Sequence, residues 1–106
     1  MNSAASRDLP VILQTIAEIA KPEKVILFGS QANGRAGQDS DIDLFLVVDA
    51  PEGVNKIQAA IRERLFKRIS CPLDLVFCSP SRFLERSGWP ASFEGGIAKR
   101  GVVLYG

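Results

Sequence analysis

The chain is predicted to be a small α/β (α+β) domain, a mixed sheet of about four strands with helices packed on it. Its 106 residues suffice for one hydrophobic core and are too few for two. Hydrophobic residues make up 46% and charged residues 24%, as in ordinary globular domains. Short apolar runs alternate with segments whose apolar residues recur every three or four positions. We therefore treat residues 1–106 as a single domain.

The N-terminal segment predicts an amphipathic helix that ends before Pro22. Asp8 is its predicted cap and Pro10 lies in its first turn, where proline is tolerated. The apolar stripe consists of Leu9, Ile12, Leu13, Ile16 and Ile19.

Two strands should follow, at residues 25–28 and 41–48, because both stretches are apolar and short. Residues 31–40 contain two glycines and few large apolar side chains, which predicts a helical turn followed by a loop.

The second half predicts a helix over residues 54–69 and a strand over residues 73–78. A short helix should open at residues 79–81 and reach residue 86, and another should cover residues 91–99. Residues 102–105 are the terminal strand.

A glycine–serine pair and three aspartates carry the predicted chemistry. Ten residues separate Gly29-Ser30 from Asp41, and Asp43 follows two positions later. Residues two apart on a strand share a face, so both carboxylates should project together. Asp74 is the one charged residue in its strand. Its carboxylate joins those of Asp41 and Asp43 if this strand lies beside the strand at residues 41–48. The turn offers N–H groups and a hydroxyl that suit phosphate, while three carboxylates suit Mg²⁺ or Mn²⁺. The pattern predicts metal-dependent phosphoryl or nucleotidyl transfer.

The composition of the chain excludes several kinds of active site and argues against several kinds of partner. The absence of histidine excludes serine–histidine and cysteine–histidine nucleophile systems and imidazole zinc sites. A net charge of +1 gives no reason to expect nucleic-acid binding, and no apolar run is long enough to span a bilayer.

Cys71 and Cys78 bracket a predicted strand, which sets them roughly 20 Å apart, too far for a disulfide. We expect a cytoplasmic protein with no signal peptide.

The spacing Gly29-Ser30, ten residues, Asp41-Ile42-Asp43 resembles the signature of the polymerase-beta-type nucleotidyltransferase superfamily. The short length, the Asp74 strand and the ending Gly101-Val102-Val103-Leu104-Tyr105-Gly106 resemble its minimal nucleotidyltransferase branch. The resemblance implies the nucleotidyltransferase fold. It also implies that Gly29 and Ser30 contact the triphosphate, that the first two aspartates bind divalent metal, and that Asp74 completes the catalytic metal site.

Minimal members of this branch commonly act as antitoxins beside a helical HEPN-type ribonuclease toxin, and some transfer AMP from ATP to a tyrosine of that partner. The resemblance therefore implies ATP, Mg²⁺ and a HEPN-type partner here. One departure is that Asn33 stands where relatives often have arginine. The positive charge near the phosphates is then either missing at position 33 or supplied by Arg35, which is the expected nucleotide-binding residue.

Two other functions stay open at this stage. One is a binding antitoxin that occludes its partner without catalysis, and the other is transfer to a small-molecule or RNA hydroxyl. Phe83, Leu84, Trp89 and Phe93 surround a Ser-Gly-Trp-Pro break. They are expected mainly to close the core, with partner contact as the alternative.

Overall fold

The computed structural model describes residues 3–32 and 41–106, which form a four-stranded mixed sheet with helices on both faces. In chain order the elements are α1 (Ser3–Ile19), β1 (Lys24–Phe28), a 3₁₀ turn (Gly29–Gln31), β2 (Ile42–Val47), α2 (Asn55–Leu65), β3 (Leu73–Cys78), α3 (Pro80–Arg86), α4 (Phe93–Arg100) and β4 (Val102–Tyr105). The strand order is β3-β2-β1-β4; β1 runs antiparallel to β2 and β4, and β2 runs parallel to β3. The predicted fold class is confirmed.

The main core lies between the sheet and the helices α1 and α2. Ile12 and Ile16 of α1, Ile61 of α2 and Leu44 of β2 are completely buried there. Strand alternation puts every second residue of β1, β2 and β3 into this layer. Burial of a side chain of this size stabilises the fold by about 1.5–3 kcal/mol.

A smaller apolar cluster covers the opposite face of the sheet, under α3 and α4. Phe45 of β2 is its centre, and its ring centroid lies 5.7 Å from that of Phe83 and 6.0 Å from that of Phe93. Ile97 of α4 is buried in the same cluster. This second face matters for function because its far end carries the aspartates.

The predicted start of α1 is wrong. The helix begins at Ser3 and encloses Pro10, although proline removes one helical hydrogen bond. Complete burial of Ala5 in the main core stabilises the added first turn. Asp8 does not cap the helix; its carboxylate accepts hydrogen bonds from the backbone N–H groups of Ser70 and Cys71, both at 2.8 Å.

Helix α2 ends at Leu65, one turn earlier than predicted, because Phe66 leaves the helical conformation at ψ +124° and Lys67 then adopts a left-handed backbone with φ +63°. Ile69 still packs against the main core, which explains why its spacing imitated a longer helix. In contrast, β3 and β4 have their predicted bounds, and α4 starts at Phe93, where Ser92 caps it through a 2.9 Å hydrogen bond from Gly95 N–H.

Other expectations have mixed outcomes. Cys71 and Cys78 are free thiols and both are buried, as the strand between them predicted.

Of the four apolar residues around the Ser-Gly-Trp-Pro break, Phe83 packs on the sheet, but Leu84 is 82% and Trp89 is 54% exposed. Phe93 is 53% exposed as well, although its ring centroid lies 6.0 Å from that of Phe45, so the expectation that most of the four close the core is wrong. Among the described residues, none of the helices is long and apolar enough to cross a membrane.

Candidate active site

Two neighbouring strands bring the three aspartates together at one end of the sheet. Because β2 and β3 pair in parallel register, Asp43 and Asp74 are direct Cα partners and their side chains share a face. Asp41 immediately precedes β2. Each of the three residues offers a carboxylate oxygen, and these oxygens lie within 4.8 Å of one another.

The alternation predicted for this segment is present. Ile42 and Leu44 are completely buried in the main core, while Asp43 between them is partly buried on the other face. Asp41 and Asp74 are exposed. Apolar neighbours on either side therefore hold Asp43 in place, and the two flanking carboxylates have access to solvent and ligands.

The cluster is electrostatically unfavourable without a cation. Burial raises the pKa of Asp43, and the negative charges of Asp74 and Asp41, with a hydrogen bond to Asp74, raise it further. Like-charged carboxylates at this distance favour a shared proton or a bound cation.

The donor set fits a divalent metal ion. Three carboxylates that converge within a few ångströms are hard oxygen ligands, which Mg²⁺ and Mn²⁺ prefer, and they leave positions for water and phosphate oxygens. The carboxylates of Asp41, Asp43 and Asp74 would hold such an ion.

The glycine–serine turn lies directly beside the carboxylates. β1 ends at Phe28, the antiparallel partner of Asp43, and the 3₁₀ turn begins at the next residue. Gly29 has φ +74°, and a Cβ at this position would overlap the Asp43 carboxylate. Both the backbone conformation and the close approach require glycine here. The turn therefore presents its backbone, and the partly buried Ser30, next to the predicted metal ligands.

A cavity of about 280 Å³ continues from this turn toward α4. Phe28 and Gly29 line one side, and Phe93, Gly96 and Arg100 line the other. Sequence reasoning missed Arg100, whereas the predicted Arg35 lies outside the described residues. A signal was present: Arg100 stands two residues before β4, so it would reach the end of β1 if those strands pair antiparallel, as they do.

One protein family matches most of the chain. The model of the nucleotidyltransferase domain family matches residues 9–101. A search of solved structures found a Sulfolobus solfataricus protein described as a candidate nucleotidyltransferase, with 21% identity and a TM-score of 0.46; the match covers 97% of this chain and 87% of that one. A search of curated proteins found no match.

Proposed function

Since the chain belongs to the nucleotidyltransferase domain family, we propose that it transfers a nucleoside monophosphate, AMP from ATP, to a hydroxyl group of a partner protein. The observation that carries this proposal is the group of three carboxylates, with oxygens within 4.8 Å of one another, beside a turn in which a Cβ at Gly29 would overlap the Asp43 carboxylate. Family membership supports nucleotidyl transfer as the reaction class. The donor, the acceptor and the role of each residue belong to the proposal.

In the proposed reaction the acceptor oxygen attacks the α-phosphorus of the triphosphate. The bond between that phosphorus and the α–β bridging oxygen breaks, and its electron pair leaves with pyrophosphate. Asp74 hydrogen-bonds the acceptor hydroxyl and takes up its proton as the new P–O bond forms. Divalent cations bound by Asp41, Asp43 and Asp74 would offset the charge on the phosphates and make the acceptor hydroxyl more acidic.

The Gly29 turn has a separate role in binding. Its backbone N–H groups and the Ser30 hydroxyl donate hydrogen bonds to the phosphate oxygens, which sets the α-phosphorus next to the carboxylates. A side chain at position 29 would both strain the turn and displace Asp43. Binding of the triphosphate and binding of metal therefore depend on the same residue.

The acceptor is expected to come from another protein. The sequence contains one tyrosine, Tyr105, and it pairs with Val25 at the end of β1 away from the Gly29 turn. Along the strand this is roughly 10 Å from Phe28, so the chain's own tyrosine is poorly located to accept a nucleotide. By its resemblance to minimal nucleotidyltransferases, the chain would modify a tyrosine of a helical HEPN-type toxin and act as its antitoxin.

Exposed apolar side chains support a protein partner. Trp89 and Phe93 are 54% and 53% exposed, and both belong to the α3–α4 region on the face of the sheet that carries the aspartates. Large aromatic residues of this kind are typical anchors at protein interfaces.

Intact-mass spectrometry tests the proposal. The chain is co-expressed with the product of its neighbouring gene, as wild type and as the Asp41→Asn/Asp43→Asn double variant. The partner should gain the mass of one or more AMP groups with wild type only. Asp49→Asn, an exposed carboxylate after the other end of β2, is the matched control and should behave as wild type. Equal modification by the double variant would contradict the assignment of the aspartates.

The exposed Trp89 and Phe93 also favour a second candidate function, a binding antitoxin that neutralises its partner by occlusion. In that case the double aspartate variant would still neutralise the toxin in a growth assay, and the partner would keep its unmodified mass in complex with wild type. The catalytic proposal expects the double variant to lose neutralisation.

A further inference from the structure

The cavity between the Gly29 turn and α4 continues the carboxylate site. Gly29 lines the cavity, and a Cβ added to it would overlap the Asp43 carboxylate. Phe28, which also lines it, is the antiparallel neighbour of Asp43 on the same face of the sheet. A ligand whose reacting end lies at the carboxylates can therefore extend past Gly29 into this cavity.

Arg100 supplies positive charge to the cavity. Of the described residues that line it, Arg100 alone is charged. Within residues 3–32 and 41–106 its guanidinium has no hydrogen bond and no carboxylate partner. It thus differs from Arg82, which pairs with Glu94 at 3.2 Å, and from Arg64, which pairs with Glu18 at 2.6 Å. An arginine that lines this cavity without a carboxylate partner among the described residues is available to an anion.

Gly96 makes room for this side chain. One helical turn before Arg100, an added Cβ would stand 2.5 Å from Nη2 and 3.4 Å from Cζ of Arg100. The third-nearest atom, at 3.9 Å, is Nη1 of the same side chain. The guanidinium therefore lies over the bare backbone of α4 at Gly96, which also lines the cavity.

We propose that Arg100 binds the β- and γ-phosphates of the triphosphate donor and holds the pyrophosphate that leaves. This inference rests on the proposed function and adds the residue that recognises the leaving group. Three carboxylates repel a polyanion, so the part of the donor beyond the metal-binding end needs a protein cation. A guanidinium suits it because its planar fork donates two parallel hydrogen bonds to phosphate oxygens.

The alternative is that the cavity holds the nucleobase of the donor instead of its β- and γ-phosphates. A binding test distinguishes these two positions of the donor. Calorimetry in Mg²⁺ measures the affinity of wild type and Arg100→Ala for a non-hydrolysable ATP analogue, inorganic pyrophosphate and AMP. Loss of charged hydrogen bonds should weaken the first two ligands about 10- to 100-fold. Affinity for AMP, which lacks the β- and γ-phosphates, should change by less than about twofold.

Two further variants make the result specific. Lys99→Ala removes the same charge from the same turn of α4, outside the cavity lining, and should bind all three ligands as wild type does. Gly96→Ala keeps every charge and favours the helix, but its methyl group displaces the guanidinium, so it should weaken binding of the analogue and of pyrophosphate. Circular dichroism verifies that each variant is folded.

Failure of the Arg100 inference and failure of the proposed function give different results. Unchanged affinity in Arg100→Ala, or an equal loss for AMP and the analogue, would overturn the role of Arg100 and leave the proposed function standing. A wild-type protein that binds none of the three ligands would overturn the proposed function, and this inference with it.

Discussion

Replacing Asp43 with asparagine keeps the shape of the side chain and removes one of three neighbouring negative charges. Burial raises the pKa of Asp43, and the charges of Asp74 and Asp41 raise it further, so the ionised carboxylate is held at a cost to the fold. Without metal, Asp43→Asn should therefore be more stable than wild type at neutral pH. It should at the same time lose nucleotidyl transfer.

The size of the effect follows from the distance between the carboxylates. At 4.8 Å, two unit charges repel by about 0.9 kcal/mol in a water-like medium and about 3.5 kcal/mol at an effective dielectric constant of 20. Asp41 and Asp74 are exposed, so the lower value is the better guide. Two such pairs give an increase of about 1–2 kcal/mol in the free energy of unfolding at low ionic strength.

Binding of Mg²⁺ should raise the free energy of unfolding of wild type more than that of Asp43→Asn. A ligand present at ten times its dissociation constant stabilises the folded protein by about 1.4 kcal/mol. This gain requires all three carboxylates. Saturating Mg²⁺ should therefore close or reverse the difference in unfolding free energy between wild type and Asp43→Asn. Urea unfolding, monitored by circular dichroism in EDTA and then in MgCl₂, measures both differences.

The control is Asp49→Asn, which changes one exposed charge after the opposite end of β2. It should match wild type in both buffers. The reasoning would be refuted if Asp43→Asn were less stable than wild type in EDTA, or if Mg²⁺ stabilised both proteins equally.

The Gly29 turn, the buried Asp8 and the two thiols each give a further expected outcome. Gly29→Ala should lose about 1–2 kcal/mol of unfolding free energy and all transfer activity, whereas Gly53→Ala, with φ +98° and open space around it, should lose stability alone; urea unfolding and a transfer assay compare them. Burial acts to raise the pKa of Asp8, but hydrogen bonds from backbone N–H groups outweigh it and lower the pKa. Its stabilisation is therefore complete above the unfolded-state pKa of about 3.9 and is lost as the pH falls through the lower folded-state pKa. Asp8→Asn should thus be about 1–3 kcal/mol less stable than wild type at pH 7, and urea titrations should show the difference shrinking as the pH falls through the lowered folded-state pKa. Burial raises the pKa of Cys71 and Cys78, so a chromogenic disulfide reagent should modify both slowly in the native protein and rapidly in urea.

Local patterns in the sequence predicted the strands and the aspartate cluster well. The apolar alternation around Asp43 indicated which face it occupies, and Pro72 and Pro80 delimit β3 closely. Asp74 was informative for the same reason, since a lone charge in an apolar strand needs a partner. These inferences depend only on neighbouring residues and on strand geometry.

Features that depend on distant residues could not be predicted. Asp8 looked like a helix cap, but its hydrogen-bond partner Ser70 is 62 positions away. Arg100 joins the site only because β4 pairs with β1, and no local pattern states which strand lies beside β1. The need for glycine at position 29 likewise arises from contact with a residue of the next strand.

The direct pairing of Asp43 with Asp74 has a consequence for how this sequence tolerates insertions and deletions. Deleting one residue from β3 ahead of Asp74 would turn its side chain to the opposite face of the sheet, into the apolar layer under α1 and α2. A two-residue change would restore the face but shift the carboxylate along the strand by roughly 7 Å. Length variation should therefore be tolerated in the connection between β2 and α2 and rejected within β2 and β3. A chain that folds with its strands out of register would be unable to assemble the carboxylate cluster, so transfer activity also reports correct strand pairing.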